Sequence, residues 1–545
     1  MAGFQAIKNW MSNWFGSAVQ KTAPVDAEAV VAAVSVLLEK DFELSASKKC
    51  VALMQAVEQQ SFVKDYYRYP FYFWKPRLSD GAKKLFREGW RAVFARHEDV
   101  SAKMVILALA GRLAPPNDKF AEALNKVAEM DWSCLGDALA EEFCALLQAQ
   151  RKYEILFPAA EEFLRRPTFE TRQKMLLCDF YVQAVYQRLK KKVFQNILNA
   201  DDLAHMHAVV DTCGEILGQE CANMHHYQGL LACMENDLEA AVKHHEQART
   251  LPGYSTQFFR AGLNMVSLAT MHTLAATPTS EFAENPAFFQ KIIYKFRHGS
   301  GGDATLLACD ETYFKAYAAG FCRSYGALNP GKILHIHAIG FEPTEMELEK
   351  LEADFGVIIN VSLDPGPAQD ISNDLRRGYC AGARYIHLPT YLDHYSRIIV
   401  NDIDGIVHRS FDDVWAGHGG KVLLSTLVLE ADRKGHFAFW SNIGAGAFGI
   451  ESIPSHRQFA QALANFLTRR FNECDKKDER FFFSDQVGLL LCVLAFKGQV
   501  PMIRMPQVFR QSTQTSQVGR DAAKKDAQSA LFKSMVEGKS KMASK

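Results

Sequence analysis

Two aspartates two residues apart, Asp402 and Asp404, have the type and spacing to hold a cation. They lie in Asn401-Asp402-Ile403-Asp404-Gly405, directly after the apolar run Ile398-Ile399-Val400. Carboxylates at i and i+2 leave an extended chain on the same side. Their oxygens can meet one hard divalent cation whose other positions stay open to phosphate and water. Gly405 lets the backbone turn close by. Arg397 to Val400 reads as a short strand buried on both faces. Ile406-Val407 resumes the apolar pattern, and Phe411–Trp415 opens a helix. The competing reading is a surface turn in which aspartate merely suits the turn geometry.

The neighbouring elements would have to hold this pair at the edge of a sheet. Near residue 296 the pattern of the chain changes, and His298-Gly299-Ser300-Gly301-Gly302 reads as a flexible joint. Ala304–Cys309 reads as a buried strand ending at Asp310, and a helical stretch follows to Tyr325. Lys332–Ile339 reads as the next strand, Glu345–Phe355 as a helix and Val357–Val361 as a third strand. Strand, helix, strand, helix, strand is the pattern of a parallel α/β sheet. Ligands on such sheets sit outside the carboxyl ends of the strands, where Asp310 and Asp402 both fall. That agreement favours the cation reading over the turn.

A chain of 545 residues is too long for one core, so more than one domain is expected. Lys and Arg (62) balance Asp and Glu (62), which leaves no basic field for nucleic acid. The twelve cysteines form no CxxC pair, which argues against a zinc ribbon or a disulfide framework and for reduced thiols in a cytoplasm. No apolar run is long enough to span a bilayer, and the N-terminus lacks the features of a secretory signal. In the segment 1–24, Phe4, Ile7, Trp10, Met11, Trp14 and Phe15 recur at helical spacing. The stripe reads as a cap on the helices that follow; the alternative is peripheral membrane contact through residues 1–20. Residues 25–295 are helical in pattern. Met224–Pro252, with Gly229, Ala241 and Ala248 at its small positions, resembles a tetratricopeptide repeat. One repeat cannot bury its own face, so an α-solenoid with degenerate pairs near 121–149, 153–165 and 172–193 is expected. The aromatic cluster Phe62–Trp74 reads as core and loop packing, with a concave binding surface as the alternative. His225-His226 and His244-His245 read as structural, because neighbours on a helix point in different directions. Residues 511–545 read as a polar, solvated tail with one short helix near 522–536.

Four further segments carry candidate residues in a definite order. ACDETY places Asp310 and Tyr313 three apart. GARYIHLPTYLDHYSRIIVNDID places Arg384 before the strand of Asp402 and Asp404. FWSNIGAGAFGI carries Asn442 and Gly444, and FFFSDQVGLL carries Asp485 and Gln486 ahead of leucines. In this order they resemble the nucleotide-sugar glycosyltransferases of the GT-A fold, most of all family 8, the retaining group that includes glycogenin and bacterial galactosyltransferases. The resemblance covers residues 300–510 and none of the helical part. It implies that Asp310 contacts the donor's base, that Tyr313 stacks on it and that Arg384 contacts the donor. It implies that Asp402 and Asp404 bind Mn²⁺ or Mg²⁺. It places Asn442 and Gly444 on a strand near the transferred sugar, and Asp485-Gln486 at a helix start facing the anomeric carbon. Ile443 stands where that family has alanine. The family often supplies a late histidine as third metal ligand; this chain has none after His456, which leaves Asp485, another acid or water.

Residue chemistry accords with these roles. An ion held by two carboxylates can neutralise a diphosphate leaving group. Arginine offers a planar fork to phosphate, and tyrosine a flat face to a base. The bland readings are that Asp310 and Asp485 are helix caps, Tyr313 a core residue and Arg384 a surface residue. The expected architecture is multidomain, an all-α tetratricopeptide-like solenoid followed by an α/β GT-A domain with a Rossmann-like mixed sheet. The expected function is metal-dependent, retaining transfer of a sugar from a nucleotide-diphosphate sugar, such as a UDP-sugar, to a protein acceptor recruited by the helices. A lipid-linked or envelope glycan acceptor, or a non-catalytic scaffold, are the alternatives.

Overall fold

The computed structural model describes residues 118–505 apart from 195–196, 219–220, 252–262, 264, 282–284, 426–437 and 475–480, with isolated positions between 91 and 107 and the strand 509–511. The stripe of residues 4–15, the aromatic cluster 62–74 and the tail beyond 511 lie outside the described residues. The chain divides into two compact units, residues 1–227 with 252–257 and residues 228–251 with 258–545.

The described part of the first unit is helical. It contains α1 (Asp118–Ala128), α2 (Asp137–Ala149), α3 (Tyr153–Leu164), α4 (Thr171–Phe194) and α5 (Ala200–Leu217), and consecutive members from α2 to α5 pack on one another. In α1 the buried positions Phe120, Ala123, Leu124 and Val127 follow the spacing of a single apolar stripe. Asn199 opens α5 with a capping box, accepting from Asp202 N at 2.8 Å. Asp179, buried within this unit, accepts hydrogen bonds from Tyr227 and Asn223.

The second unit receives the end of α6 (Ala222–Met234) and then α7 (Leu238–Thr250) and α8 (Leu268–Ala276). A Cβ on Gly229 would lie 2.8 Å from the His245 ring, so the small residue admits a buried imidazole between α6 and α7. Burial, reinforced by His244, pushes the pKa of His245 down to about 3, and its ring is neutral packing at pH 7.

The sheet of this unit has eight strands. In chain order they are β1 (Ile293–Lys295), β2 (Asp303–Asp310), β3 (Ile333–Ile339), β4 (Ile358–Asp364), β5 (Arg397–Asn401), β7 (Val422–Leu424), β8 (Ala447–Glu451) and β9 (Met502–Arg504). Their spatial order is β1-β4-β3-β2-β5-β8-β7-β9. Strands β4, β3, β2 and β5 are parallel neighbours, while β1 and β8 run antiparallel to β4 and β5. A separate ribbon pairs β6 (Gly405–Val407) with β10 (Phe509–Gln511). The helices between the parallel strands are α9 (Glu311–Gly326), α10 (Glu345–Phe355), α11 (Asn373–Ile386) and α12 (Leu388–His394). They are followed by α13 (Phe411–Trp415), α14 (Pro454–Asn472) and α15 (Ser484–Ala495).

Two expectations need correction. The first strand of the sheet is β1, upstream of the glycines, and it pairs with β4. Gly299, Gly301 and Gly302 all have positive φ, and Gly301 N and Gly302 O bond to His394 and Ser396. The glycines therefore make a turn inside the second unit, not a joint between units. The stretch FWSNIGAGAFGI is also not one strand. Phe439–Asn442 is a 3-10 turn, and β8 begins only at Ala447.

One face of the central sheet is apolar. Leu307, Cys309, Leu334, Ile336, Ile359 and Val361 meet Phe314, Tyr317 and Phe321 of α9 and Leu348 and Leu351 of α10. The two helices close on each other at Gly326, where a Cβ would sit 1.9 Å from the Phe355 carbonyl oxygen. Backbone cannot rotate out of the way as a side chain can. Gly326→Ala is expected to destabilise the unit by about 1–3 kcal/mol or more, read as a lower urea midpoint with unchanged slope. The opposite face is polar. His335, His337, Asn360, Ser362 and Asp364 are buried there against the hydroxyls of Tyr379, Tyr391 and Tyr395.

Candidate active site at the carboxyl edge of the sheet

The chain leaves β2 toward β3 and β4 on one side, then returns to β5 on the other. The β2/β5 boundary is thus a topological switch point, and the crevice for a ligand opens beyond the carboxyl ends of these two strands. Asp310 is the last residue of β2, and Asp402 directly follows β5.

The turn after β5 is fixed by Asp402 N bonding to Gly446 O at 3.0 Å. Ile403 enters the apolar core, and the Asp402 side chain keeps 28% of its surface exposed. Arg384, on the last turn of α11, lies beneath. Its Nη1 donates to Asn401 O at 3.0 Å and pairs with Asp402 Oδ1 at 2.5 Å, while Nη2 donates to Ala445 O at 3.0 Å. The guanidinium is buried. Burial alone would lower its pKa, but Asp402, Tyr385 and Asp485 act on it and the net direction is upward. Asp485, buried in the first turn of α15, accepts from Gln486 N at 2.9 Å. Burial pushes its carboxyl up; Arg384 and the helix-start N–H draw it down, Asp402 adds to the rise, and burial wins. Asp402, Arg384 and Asp485, from three separate elements, therefore share one electrostatic neighbourhood.

The other expected residues are placed as follows. Asp310 caps α9, its Oδ1 accepting from Tyr313 N at 2.8 Å. The half-buried Tyr313 ring packs toward the apolar core, 5.2 Å from Tyr317. Asn442 is buried, and its Nδ2 donates to Ala438 O and Phe439 O within its own 3-10 turn. Gly444 O accepts from Ser425 Oγ at 2.7 Å. Asp364 lies beneath the sheet's polar face with no exposed side-chain surface, its oxygens bound by Gly366 N, Tyr379 and His337. It cannot serve as a base for an acceptor. Among the described residues, Asp485 does not join Asp402 and Asp404 in a three-ligand cluster.

Sequence reasoning passed over Phe483. It takes a left-handed backbone (φ 75°), uncommon for a bulky residue, and keeps 38% of its surface exposed. Its ring is stacked on Trp440, with centroids 6.3 Å apart and planes 11° apart. The aromatic run Phe481-Phe482-Phe483 before Asp485 was the available signal.

The raised carboxyl of Asp485 gives a pH prediction. A folded pKa above the unfolded one favours folding at low pH, and the contribution is lost as pH rises through the folded value. At pH 7 the raised pKa therefore makes this group oppose folding. Asp485→Asn is expected to be more stable than the parent at pH 7, with the advantage fading below about pH 4. Urea unfolding at both pH values reads this; an Asn variant less stable at pH 7 would show that the fold favours the charge.

No family model matches the chain, and no curated protein matches it. Among solved structures the chain is similar to the WbbM bifunctional glycosyltransferase in its apo form, at 10% identity and a TM-score of 0.25 over 63% of this chain. The match spans 62% of that protein's length. Among the described residues, no helix is long and apolar enough to cross a membrane.

Proposed function

We propose that the second unit is a glycosyltransferase that moves a sugar from a nucleotide-diphosphate sugar, such as a UDP-sugar, to an acceptor. The observation that carries this reading is the meeting of the Asp402–Asp404 turn with Arg384 and Asp485 at the β2/β5 switch point. Asp402 and Asp404 would hold Mn²⁺ or Mg²⁺. The donors fit, since such ions take oxygen ligands and are commonly held by one or two carboxylates plus substrate phosphate. When bound, the ion neutralises charge on the diphosphate leaving group.

The chain's own residues do the rest. Arg384 is a positioning residue, tying Asp402 to the carbonyls of Asn401 and Ala445. Asp310, held by its cap bond, turns its other oxygen to an N–H of the base. Tyr313, beside it, offers a ring edge or face to the same base. Asp485 accepts sugar hydroxyls, and Gln486 lies against the face of the sugar opposite the leaving group. Asn442 and Gly444 shape the loop leading into β8. The flat Trp440–Phe483 pair gives a sugar ring a surface to lie on next to Asp485. The acceptor is a protein recruited by the helical residues. The free thiols among the described residues suit a reducing compartment such as a cytoplasm.

The reaction is retaining. Glutamine cannot act as a base at neutral pH, and Asp364 is sealed away. The departing phosphate oxygen then takes the acceptor's proton, and attack comes from the leaving-group face. A thermal-shift screen of nucleotide sugars with and without Mn²⁺ should find a donor that raises Tm through mass action. NMR of the first-formed product from an α-linked donor should show an α linkage. A β linkage would mean inversion and a base elsewhere; no donor binding and no turnover would end the transferase reading.

A further inference from the structure

We infer that His337, Asp364 and His387 form a second, structural metal site, of a chemistry suited to Zn²⁺, closed beneath the polar face of the sheet. The site is independent of the proposed transferase chemistry and shares no residue with it. One ligand atom from each of the three lies within 4.8 Å of the others. Tetrahedral donors bound at about 2.0–2.2 Å lie roughly 3.3–3.6 Å apart, so the three side chains draw inward by about 1 Å to take up an ion, and water supplies the fourth ligand. Two imidazoles and one carboxylate suit Zn²⁺ and its transition-metal neighbours, not the Mg²⁺ expected of an all-oxygen site.

The surroundings are built as metal sites are built. His337 and Asp364 have no exposed side-chain surface. The outward nitrogen of His337, Nδ1, is held by Tyr391 Oη at 2.6 Å, and Nε2 faces Asp364. Asp364 is oriented by Gly366 N at 2.7 Å and Tyr379 Oη at 2.8 Å. Such outer contacts set ring orientation and ligand basicity around a metal. The His387 ring lies nearly parallel to that of His337, with centroids 5.3 Å apart and planes 21° apart. Its Nε2 is buried and has no hydrogen-bond partner, an arrangement that is costly unless something fills the position. The three ligands come from β3, β4 and the α11–α12 junction. A metal there would staple the two strands to the helical layer. With His337 and Asp364 sealed from solvent, a substrate has no access to the ion, and its role is structural.

The test is metal analysis of the full-length protein after dialysis against ZnCl₂ and then metal-free buffer. Stoichiometric zinc is expected in the parent and in the Asp402→Asn/Asp404→Asn double variant, and its loss in His387→Ala. The Co²⁺-loaded parent should show visible d–d bands that His387→Ala lacks. A folded parent without stoichiometric zinc, zinc retained by His387→Ala, or zinc lost with the double aspartate variant would each overturn the site. If His387→Ala does not fold, the parent protein decides: 1,10-phenanthroline should lower its Tm and ZnCl₂ restore it, and an unmoved Tm would overturn the inference.

Discussion

Asp402→Ala and Asp404→Ala are each expected to abolish transfer. Charge neutralisation on a diphosphate leaving group is worth several kcal/mol, which at about 1.4 kcal/mol per tenfold is a loss of roughly 10²–10⁴ in kcat. Asp402 pairs with buried Arg384, and its removal leaves the guanidinium without that carboxylate. Breaking a buried pair costs about 3–5 kcal/mol, and the partial exposure of Asp402 puts its case at or below the lower end. Asp402→Asn should therefore recover much of the stability and none of the activity. Steady-state transfer assays with Mn²⁺, run beside urea unfolding, separate the two losses. Undiminished activity in both alanine variants would end the metal reading.

Arg384→Lys is expected to fail nearly as completely as Arg384→Ala. The guanidinium serves two carbonyls and one carboxylate at once. A planar fork can hold three acceptors in fixed directions; an ammonium on a flexible stem cannot. Ala445 O keeps the Tyr385 hydroxyl, but Asn401 O loses its side-chain donor at about 1–3 kcal/mol, and the turn carrying Asp402 and Asp404 loses its anchor. Lower stability and lower kcat should appear together, while donor affinity measured without metal changes less. A fully active Arg384→Lys protein would show that charge alone is required and that the turn holds itself. Arg384 could be picked out from the sequence, but as a donor-contacting residue. Its burial under the turn recasts it as the piece that positions Asp402.

Much of the fold was legible. The strands at 303–310, 333–339, 358–364 and 397–401 fall where largely apolar runs place them, and helices α9 and α10 fall between the first three. Ser372, Thr344 and Asp310 each accept from a backbone N–H three residues on, which is a relation the sequence displays directly. The polar face of the sheet was less visible. His335 and His337 alternate inside one strand, and Asn360, Ser362 and Asp364 inside the next, and these i, i+2 patterns were the local signs that this face is lined with polar groups.

The sequence by itself determined the four parallel strands and the helices α9 and α10, and that Asp402 and Asp404 sit just past a buried strand. These depend on neighbours a few residues apart, whose spacing is set by the pitch of a helix or the pleat of a strand. Only the tertiary structure decided that Arg384 and Asp485 join Asp402, that Asp364 is locked beneath the sheet, and that β1 belongs to the sheet edge. Those relations link positions far apart in the chain. They follow from the order in which strands are laid into the sheet, and no local period carries that order.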